Sequence, residues 1–504
     1  VSFFRRSMRH SLAAAFAGTL IIKSKIMSTA NQFFKTCSAA GLLMLLSFTT
    51  ALAIIRDTSL NAEIRREVQN GELNNKLYYP ASVARFYAKN GYQAAWIKPQ
   101  GGMGHAWQAM LMIDCVLQFG LSHQDYHPQD LTYDGLHAIL DTPGKVSLQL
   151  GARYELLLTD ALLTLMNNLH YGKLNPDYAP SRIDHEASLP FNAGDILLAG
   201  LKGTDILPAI TGVQPKTKAY TELQYRMHLL EGIYQDDCYE VPQAEVRKIA
   251  INMERLRWAE TPDSIYMQIN IPTYTLKLFL KDTIRQFKVI VGKPATPTPT
   301  LQSEIRHLTT APEWKAPAKI FRKEVLVKAL ADTTYLEANH FAIYDTQGRY
   351  VEHDRANLLR IQKTPANYFA RQSAGCDNAL GLVVFRFPNL YNVYLHDTPE
   401  QQLFKRSARA FSHGCIRVEK AEELAALLLQ QDGSSSKIPS LRDGMHHYVT
   451  RNINLKKPMP LRITYLTCGI GEWGLVSYPD IYDLDKRLEI AMYGTDALLN
   501  SKKK

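Results

Sequence analysis

The sequence predicts an α+β chain of several domains, in which a helical scaffold domain is followed by a mostly β domain carrying a long lid insertion. Three observations predict it. Apolar residues recur every three or four positions up to about residue 259, the period shifts toward two after Pro262, and the β pattern is interrupted between about 300 and 375. At 504 residues, 46% hydrophobic and 21% charged, the chain has ample material for two or three cores.

The first 53 residues read as a targeting segment rather than as fold. From Met27, "MSTANQFFKTCSAAGLLMLLSFTTALA" places Lys35 in a polar start, an apolar run over about 39–48, and Ala51-Leu52-Ala53 as a small-x-small cleavage site. A signal peptide over 27–53 is therefore expected, with an uncleaved membrane anchor as the alternative, although the apolar run is short for a bilayer span. Cys37 precedes that run, so it is not placed like a lipoprotein acceptor. The formal charge of +10 is partly carried by these first residues and by the "SKKK" end. No aromatic-interleaved basic stretch accompanies it, and nucleic-acid binding is not indicated.

Residues 54–259 read as the helical scaffold domain. "YPASVARFYAKNGYQAAW", "GARYELLLTDALLTLMNNLHYG" and "AEVRKIAINMERLRW" carry the three-and-four spacing, with Pro, Gly and Asp-rich loops between them. Residues 260–470 form the second domain. "SIYMQINIPTYTLKLFL" and "IRQFKVIVGK" read as strands joined by a turn at Lys281-Asp282, and "PATPTPT" as a break that no central strand could contain. An irregular excursion then runs to about Gly375, the kind of loop that covers a site. "GLVVFRF", "YNVYLH" and "LRITYLT" resume the strand pattern around a short helix, "AEELAALLL", and 471–504 is left as a C-terminal strand, helix and basic tail.

The chemistry concentrates in "FSHGCIRV" (411–418) and "VYLHDTP" (393–399). Of the six cysteines, removal of Cys37 leaves an odd number without a CxxC pair, so neither a zinc site nor a complete disulfide framework is suggested. In an oxidising compartment an unpaired cysteine calls for a purpose. A thiol attacks a carbonyl as its thiolate, so Cys415 needs a base, and His396 at the end of a strand can be fixed beside it if the fifteen intervening residues return the chain. The other ring nitrogen of His396 then needs an acceptor, for which the carbonyl of Asp397 is a candidate. Gly414 permits a sharp turn in which the N–H groups of His413, Gly414 and Cys415 converge as an oxyanion site, with Ser412 in the supporting loop. His413 itself reads as ordering the turn rather than as a second base. On residues alone, Cys415 reads equally as nucleophile or as a buried inert thiol. The pair His446-His447 lacks a third ligand and reads as a solvated face; no metal and no cofactor is expected.

With its fifteen-residue gap, "H…SHGCIRV" resembles the signature of the L,D-transpeptidases, and "NMERLRW", "VIVGKP", "EWKAPAKI", "NALGLVVFRFPN" and "YLTCG…DIYDLD" resemble the large periplasmic Gram-negative branch with its YkuD-type catalytic domain. The resemblance implies that Cys415 attacks the third residue of a peptidoglycan tetrapeptide stem, releases D-alanine and passes the acyl group to a diaminopimelate amine. It implies stem peptides as donor and acceptor, with cell-wall synthesis proteins as further partners, in the periplasm. Arg417 could then pair with a substrate carboxylate or form a structural salt bridge, Tyr394 lines the pocket, and Trp314 lies in the lid. Resolution of the same thioester by water would make an L,D-carboxypeptidase; a non-catalytic wall-binding protein and a papain-like protease are the other classes, disfavoured by the intact Cys and His and by their order. One departure is that Tyr225–Trp258 leaves no room for the wall-binding module many large members carry.

Overall fold

The structure, a computed structural model, describes residues 59–98, 103–141, 145–186, 188–231, 243–258 and 264–495. The expected targeting segment, Cys37, Cys238 and the terminal lysines lie outside the described residues. The fold is α+β, helical first and mostly β after residue 264.

The helix Leu148–His170 is the axis of the first domain. Ser147 caps it by accepting from the Leu150 N–H, and almost every residue from Gly151 to Leu169 is buried. A helix apolar on all sides has to be surrounded, and its neighbours include Leu60–Asn70, Pro80–Lys89, Met103–Asp114 and Ala193–Gly200. Buried acids of this helix and of the helix Pro180–His185 satisfy backbone that the loops leave open. Glu155 accepts from the N–H groups of Ala95, Trp96 and Ile97. Asp160 accepts from those of Tyr78 and Tyr79. Asp184 reaches the N-terminus of Pro80–Lys89, taking the N–H groups of Ala81 and Ser82 where Tyr79 offers no side-chain cap.

The helix Ala244–Arg257 joins the two halves. On one side Arg257 donates to the Phe119 carbonyl and the Tyr220 hydroxyl, and Glu254 accepts from the Leu174 N–H. On the other, Asn252 exchanges two hydrogen bonds with Thr467, and Arg255 pairs with Asp485 at 2.5 Å.

Fifteen strands follow among the described residues: β1 (Tyr266–Asn270), β2 (Thr275–Phe279), β3 (Ile284–Gly292), β4 (Leu301–Thr310), β5 (Trp314–Lys315), β6 (Phe341–Asp345), β7 (Tyr350–Val351), β8 (Tyr368–Gln372), β9 (Val383–Arg386), β10 (Leu395–His396), β11 (Ala410–Ser412), β12 (Ile416–Val418), β13 (Arg451–Thr464), β14 (Cys468–Gly471) and β15 (Gly474–Ser477). Nine make one sheet, ordered β11-β3-β12-β10-β9-β4-β13-β1-β2, and a further β2–β3 pairing closes it on itself. Its interior is filled by Met267, Leu276, Val289, Leu308, Phe385, Leu395 and Ile416 among others. The alternation of buried and outward residues along these strands decides which side chains face a substrate.

Three expectations are corrected. "SIYMQINIPTYTLKLFL" is two strands, because Ile271–Tyr274 turn back with Tyr274 at φ 53° and β1 pairs antiparallel with β2. The insertion does not begin near 300: Leu301–Thr310 is β4, pairing with β13 and β9 in the main sheet. It leaves instead at Ala311, whose N–H bonds the Leu382 carbonyl at 2.8 Å. Nor is it irregular, since β5, β8, β6 and β7 form a four-stranded sheet around Phe321, Leu326, Leu336, Ile343 and Ile361. After residue 470 come the strand β15 and the helix Leu484–Tyr493. Cys468, Met492 and Tyr493 share a core with Tyr220, Leu223, Val246 and Ile249 of the helices Lys218–Glu231 and Ala244–Arg257.

Candidate active site

Register brings the two sequence motifs together. Strands β10 and β12 run parallel with Leu395 opposite Ile416 and His396 opposite Arg417, and the Ile416 N–H bonds the Tyr394 carbonyl at 2.8 Å. Leu395 and Ile416 are fully buried in the core. Their neighbours Tyr394, His396, Cys415 and Arg417 therefore share the opposite face, which makes His396 and Cys415 diagonal neighbours on adjacent strands.

The imidazole of His396 is buried and its Nδ1 lies 2.5 Å from the Asp397 carbonyl. A carbonyl can only accept, so Nδ1 carries the proton and the neutral ring keeps its lone pair on Nε2. Burial, and after it the charges of Arg417 and Arg386, hold the pKa down at about 4; the Asp397 and Leu380 carbonyls oppose them. Asp397 is fixed in turn, its carboxylate accepting from the Leu382 N–H at 2.9 Å and its own N–H bonding the Val383 carbonyl. Gly381, at φ +60°, lies so close that a Cβ would stand 2.6 Å from the Asp397 side chain.

Burial pushes the Cys415 thiol up, against the Tyr394 N–H and the charges of Arg417 and Arg386, which favour the thiolate. At rest the pair is thus a neutral thiol beside a neutral imidazole. The two groups are therefore not a preformed ion pair. None of the described cysteines Cys115, Cys376, Cys415 and Cys468 is in a disulfide.

The loop between β11 and β12 is held by its own serine. Ser412 is buried; its hydroxyl donates to the Cys415 carbonyl at 2.5 Å and accepts from the Gly414 N–H at 3.1 Å. The expected convergence of three N–H groups is corrected here, since that of Gly414 is taken by Ser412. Gly414 is still required by conformation, standing at φ +118° with no close neighbour for a Cβ. The Nε2 of His413 lies 2.6 Å from Glu324 of the lid. Arg417 is in an ion pair with Glu400, the second of its two expected roles. Trp314 is in β5, its ring 6.0 Å from that of Phe341, at the edge of the lid's own core. Tyr394 lies beneath the Arg386 guanidinium, 4.9 Å from ring centroid to Cζ.

Sequence reasoning missed a brace under this loop. "PATPTPT" breaks the strand pattern, yet Thr298 donates to the Gly414 carbonyl at 2.8 Å and accepts from the Gly292 N–H, and Thr296 donates to the Ser412 carbonyl. Tyr482 ties down the same turn through the Gly292 carbonyl and the Thr298 N–H. Gly292 allows it, for a Cβ there would lie 2.2 Å from the Thr296 carbonyl oxygen. The one local signal was a glycine ending an apolar strand before a proline. Arg386, His307 and Glu324 were missed as well, and nothing in their local sequence marks them.

Two family models match the chain. Residues 264–439 match the family model of the L,D-transpeptidase catalytic domain, and residues 81–227 that of the scaffold domain. Over 454 residues the chain is 28% identical to a Haemophilus influenzae protein named "Putative L,D-transpeptidase", covering 88% of this chain and 85% of that one.

Proposed function

Since the chain carries a scaffold domain followed by the YkuD-type catalytic domain of the L,D-transpeptidase family, we propose that it is a cysteine acyltransferase joining peptidoglycan stems in the periplasm. The observation that supports this most is the placing of His396, proton on Nδ1 and lone pair on Nε2, on the same sheet face as Cys415. His396 Nε2 takes the thiol proton as Sγ attacks the carbonyl carbon of the third stem residue. The tetrahedral oxyanion is met by backbone N–H groups of the loop, those of His413 and Cys415 after Ser412 has claimed that of Gly414. The bond to D-alanine breaks, its nitrogen receives the proton from His396, and a thioester remains on Cys415. The amine of a diaminopimelate then attacks the thioester, passes a proton through His396 to the departing sulfur and leaves a cross-link between two third residues. General acid–base action of this kind contributes about 10²–10⁴ in rate.

The test is intact-protein mass with a disaccharide-tetrapeptide, alongside analysis of the products. A thioester adduct on Cys415 and a dimer lacking one D-alanine are expected, both absent in Cys415→Ala. Tripeptide as the sole product would assign water as the acceptor and the carboxypeptidase reaction. Turnover surviving in Cys415→Ala would end the cysteine mechanism.

A further inference from the structure

Cys415 belongs to a row of side chains that crosses four strands. His307 of β4 stands opposite Arg386 of β9. Strands β9 and β10 pair His396 with Val384 and Leu395 with Phe385, so one step back Arg386 faces Tyr394. The same step on β10 and β12 sets Tyr394 opposite Cys415. Leu308, Phe385, Leu395 and Ile416, the alternating neighbours, are all buried in the core, which turns His307, Arg386, Tyr394 and Cys415 outward together.

Two arginines border the nucleophile on this face, and they differ in one respect. Arg417 is already neutralised by Glu400. Arg386 is half-buried and has no carboxylate within ion-pair distance among the described residues. Its backbone is two strands from that of Cys415, about 10 Å at the usual strand spacing, but its guanidinium does not stay there. It lies over the ring of Tyr394, the residue between them. Stacking on an aromatic face fixes the plane of a guanidinium and leaves its N–H edge free for a planar acceptor. The charge is felt at the two groups, since it adds to the burial that lowers the pKa of His396 and opposes the burial that raises that of Cys415. On the far side it also depresses His307, so the row holds one permanent cation and no anion of its own.

We infer that Arg386, held over Tyr394 in the row that contains Cys415, receives a carboxylate of the donor peptide and sets a preference for an anionic stem. The inference rests on the peptide-donor reading above. Such a stem offers two carboxylates near the attacked bond, that of the leaving residue and that on the side chain of the third residue. Bidentate pairing with a guanidinium suits either. Arg386 acts in binding and orientation; the proton transfers remain with His396.

The experiment compares wild type, Arg386→Gln and Arg386→Lys on three donors: the free tetrapeptide, its C-terminal carboxamide, and the tetrapeptide with the third-residue side-chain carboxylate amidated. For Arg386→Gln on the free donor, kcat/KM is expected to fall roughly tenfold to a hundredfold, as for loss of a charge-assisted hydrogen bond, mainly through KM. Arg386→Lys is expected to recover part of it. One amidated donor should cost wild type the same factor and cost Arg386→Gln nothing more, which identifies the carboxylate. Equal proportional losses on all three donors, with an unchanged melting temperature, would overturn the assignment while leaving the reaction intact. Failure of wild type to form an acyl-enzyme with any donor would overturn the peptide-donor reading and the inference with it.

Discussion

Acidification is the perturbation that separates this site from one built on an ordinary histidine. The pKa of His396 is held at about 4 against a usual 6.5, a difference worth roughly 3 kcal/mol between the two protonation states. At pH 5.5 an ordinary imidazole would be about 90% protonated, and a base-dependent acylation would lose about tenfold. At the same pH His396 is about 3% protonated, and the rate should be almost unchanged. The assay is the single-turnover rate of adduct formation on Cys415, followed by mass between pH 4 and 8. An acid limb with its midpoint near 6.5 would refute the argument that burial and the two arginines keep the base neutral. The same shift has a stability consequence of fixed sign. The folded pKa is below the unfolded one, so under pH 6.5 the unfolded chain takes up a proton that the folded chain refuses. Stability should fall by up to roughly 3 kcal/mol as the pH drops from 6.5 to about 4, then stop responding to this group. His396→Gln should flatten that segment of the urea-unfolding profile.

Other perturbations test the scaffolding of the site. Gly292→Ala forces a Cβ against the Thr296 and Thr298 backbone, 2.2 and 2.7 Å away, and should cost about 1–3 kcal/mol in a thermal melt together with activity, as the brace shifts the nucleophile loop. Ser412→Ala leaves the Gly414 N–H buried without its acceptor and should cost about 1–3 kcal/mol, with kcat falling more than KM rises. Glu324→Gln weakens the lid's contact with His413; the pair is part-exposed, so global stability should move by less than about 1 kcal/mol, while hydrogen exchange over 321–331 speeds up. Glu254→Ala strands Arg257, since both are fully buried and Glu254 also holds the Leu174 N–H and the Trp258 indole. A loss of about 3–5 kcal/mol in denaturant titration is expected.

The two-part architecture was legible because period is a local property. Leu148–His170 carries its own cap and apolar spacing, and β3 and β9 carry runs that only a buried strand tolerates. Cys415 and His396 were legible as a pair because their spacing has a signature, and the acceptor for His396 Nδ1 was the adjacent carbonyl, one residue away. What stayed hidden depends on register between distant segments. Arg386 meets Tyr394 and Cys415 only because β9, β10 and β12 align as they do. The N–H of Gly414 is not free for an oxyanion because a serine hydroxyl two residues away accepts it. Proline suggested a break in "PATPTPT", yet its rigid turn is what carries Thr298 to the Gly414 carbonyl. The lid hid its own fold because strands as short as β5 and β7 have too few residues to show a period.

The return of residues 468–493 to the helices Lys218–Glu231 and Ala244–Arg257 has a consequence for the order in which the molecule is made. Asn252 meets its partner Thr467 across 215 positions of chain, and Arg255 meets Asp485 across 230. A ribosome emits the helix pair long before the segment that completes its core, and at about 5–20 residues per second that interval is of the order of tens of seconds. During it the apolar surface around Val246 and Ile249 stands open. The helix pair therefore completes its core only when the β half is finished, whereas the larger scaffold core, from Ile64 to Ile210, needs no residue beyond residue 213. Termination between residues 258 and 467 would leave the helix pair's apolar surface without its late partners, a mark by which quality-control proteases could recognise an incomplete chain.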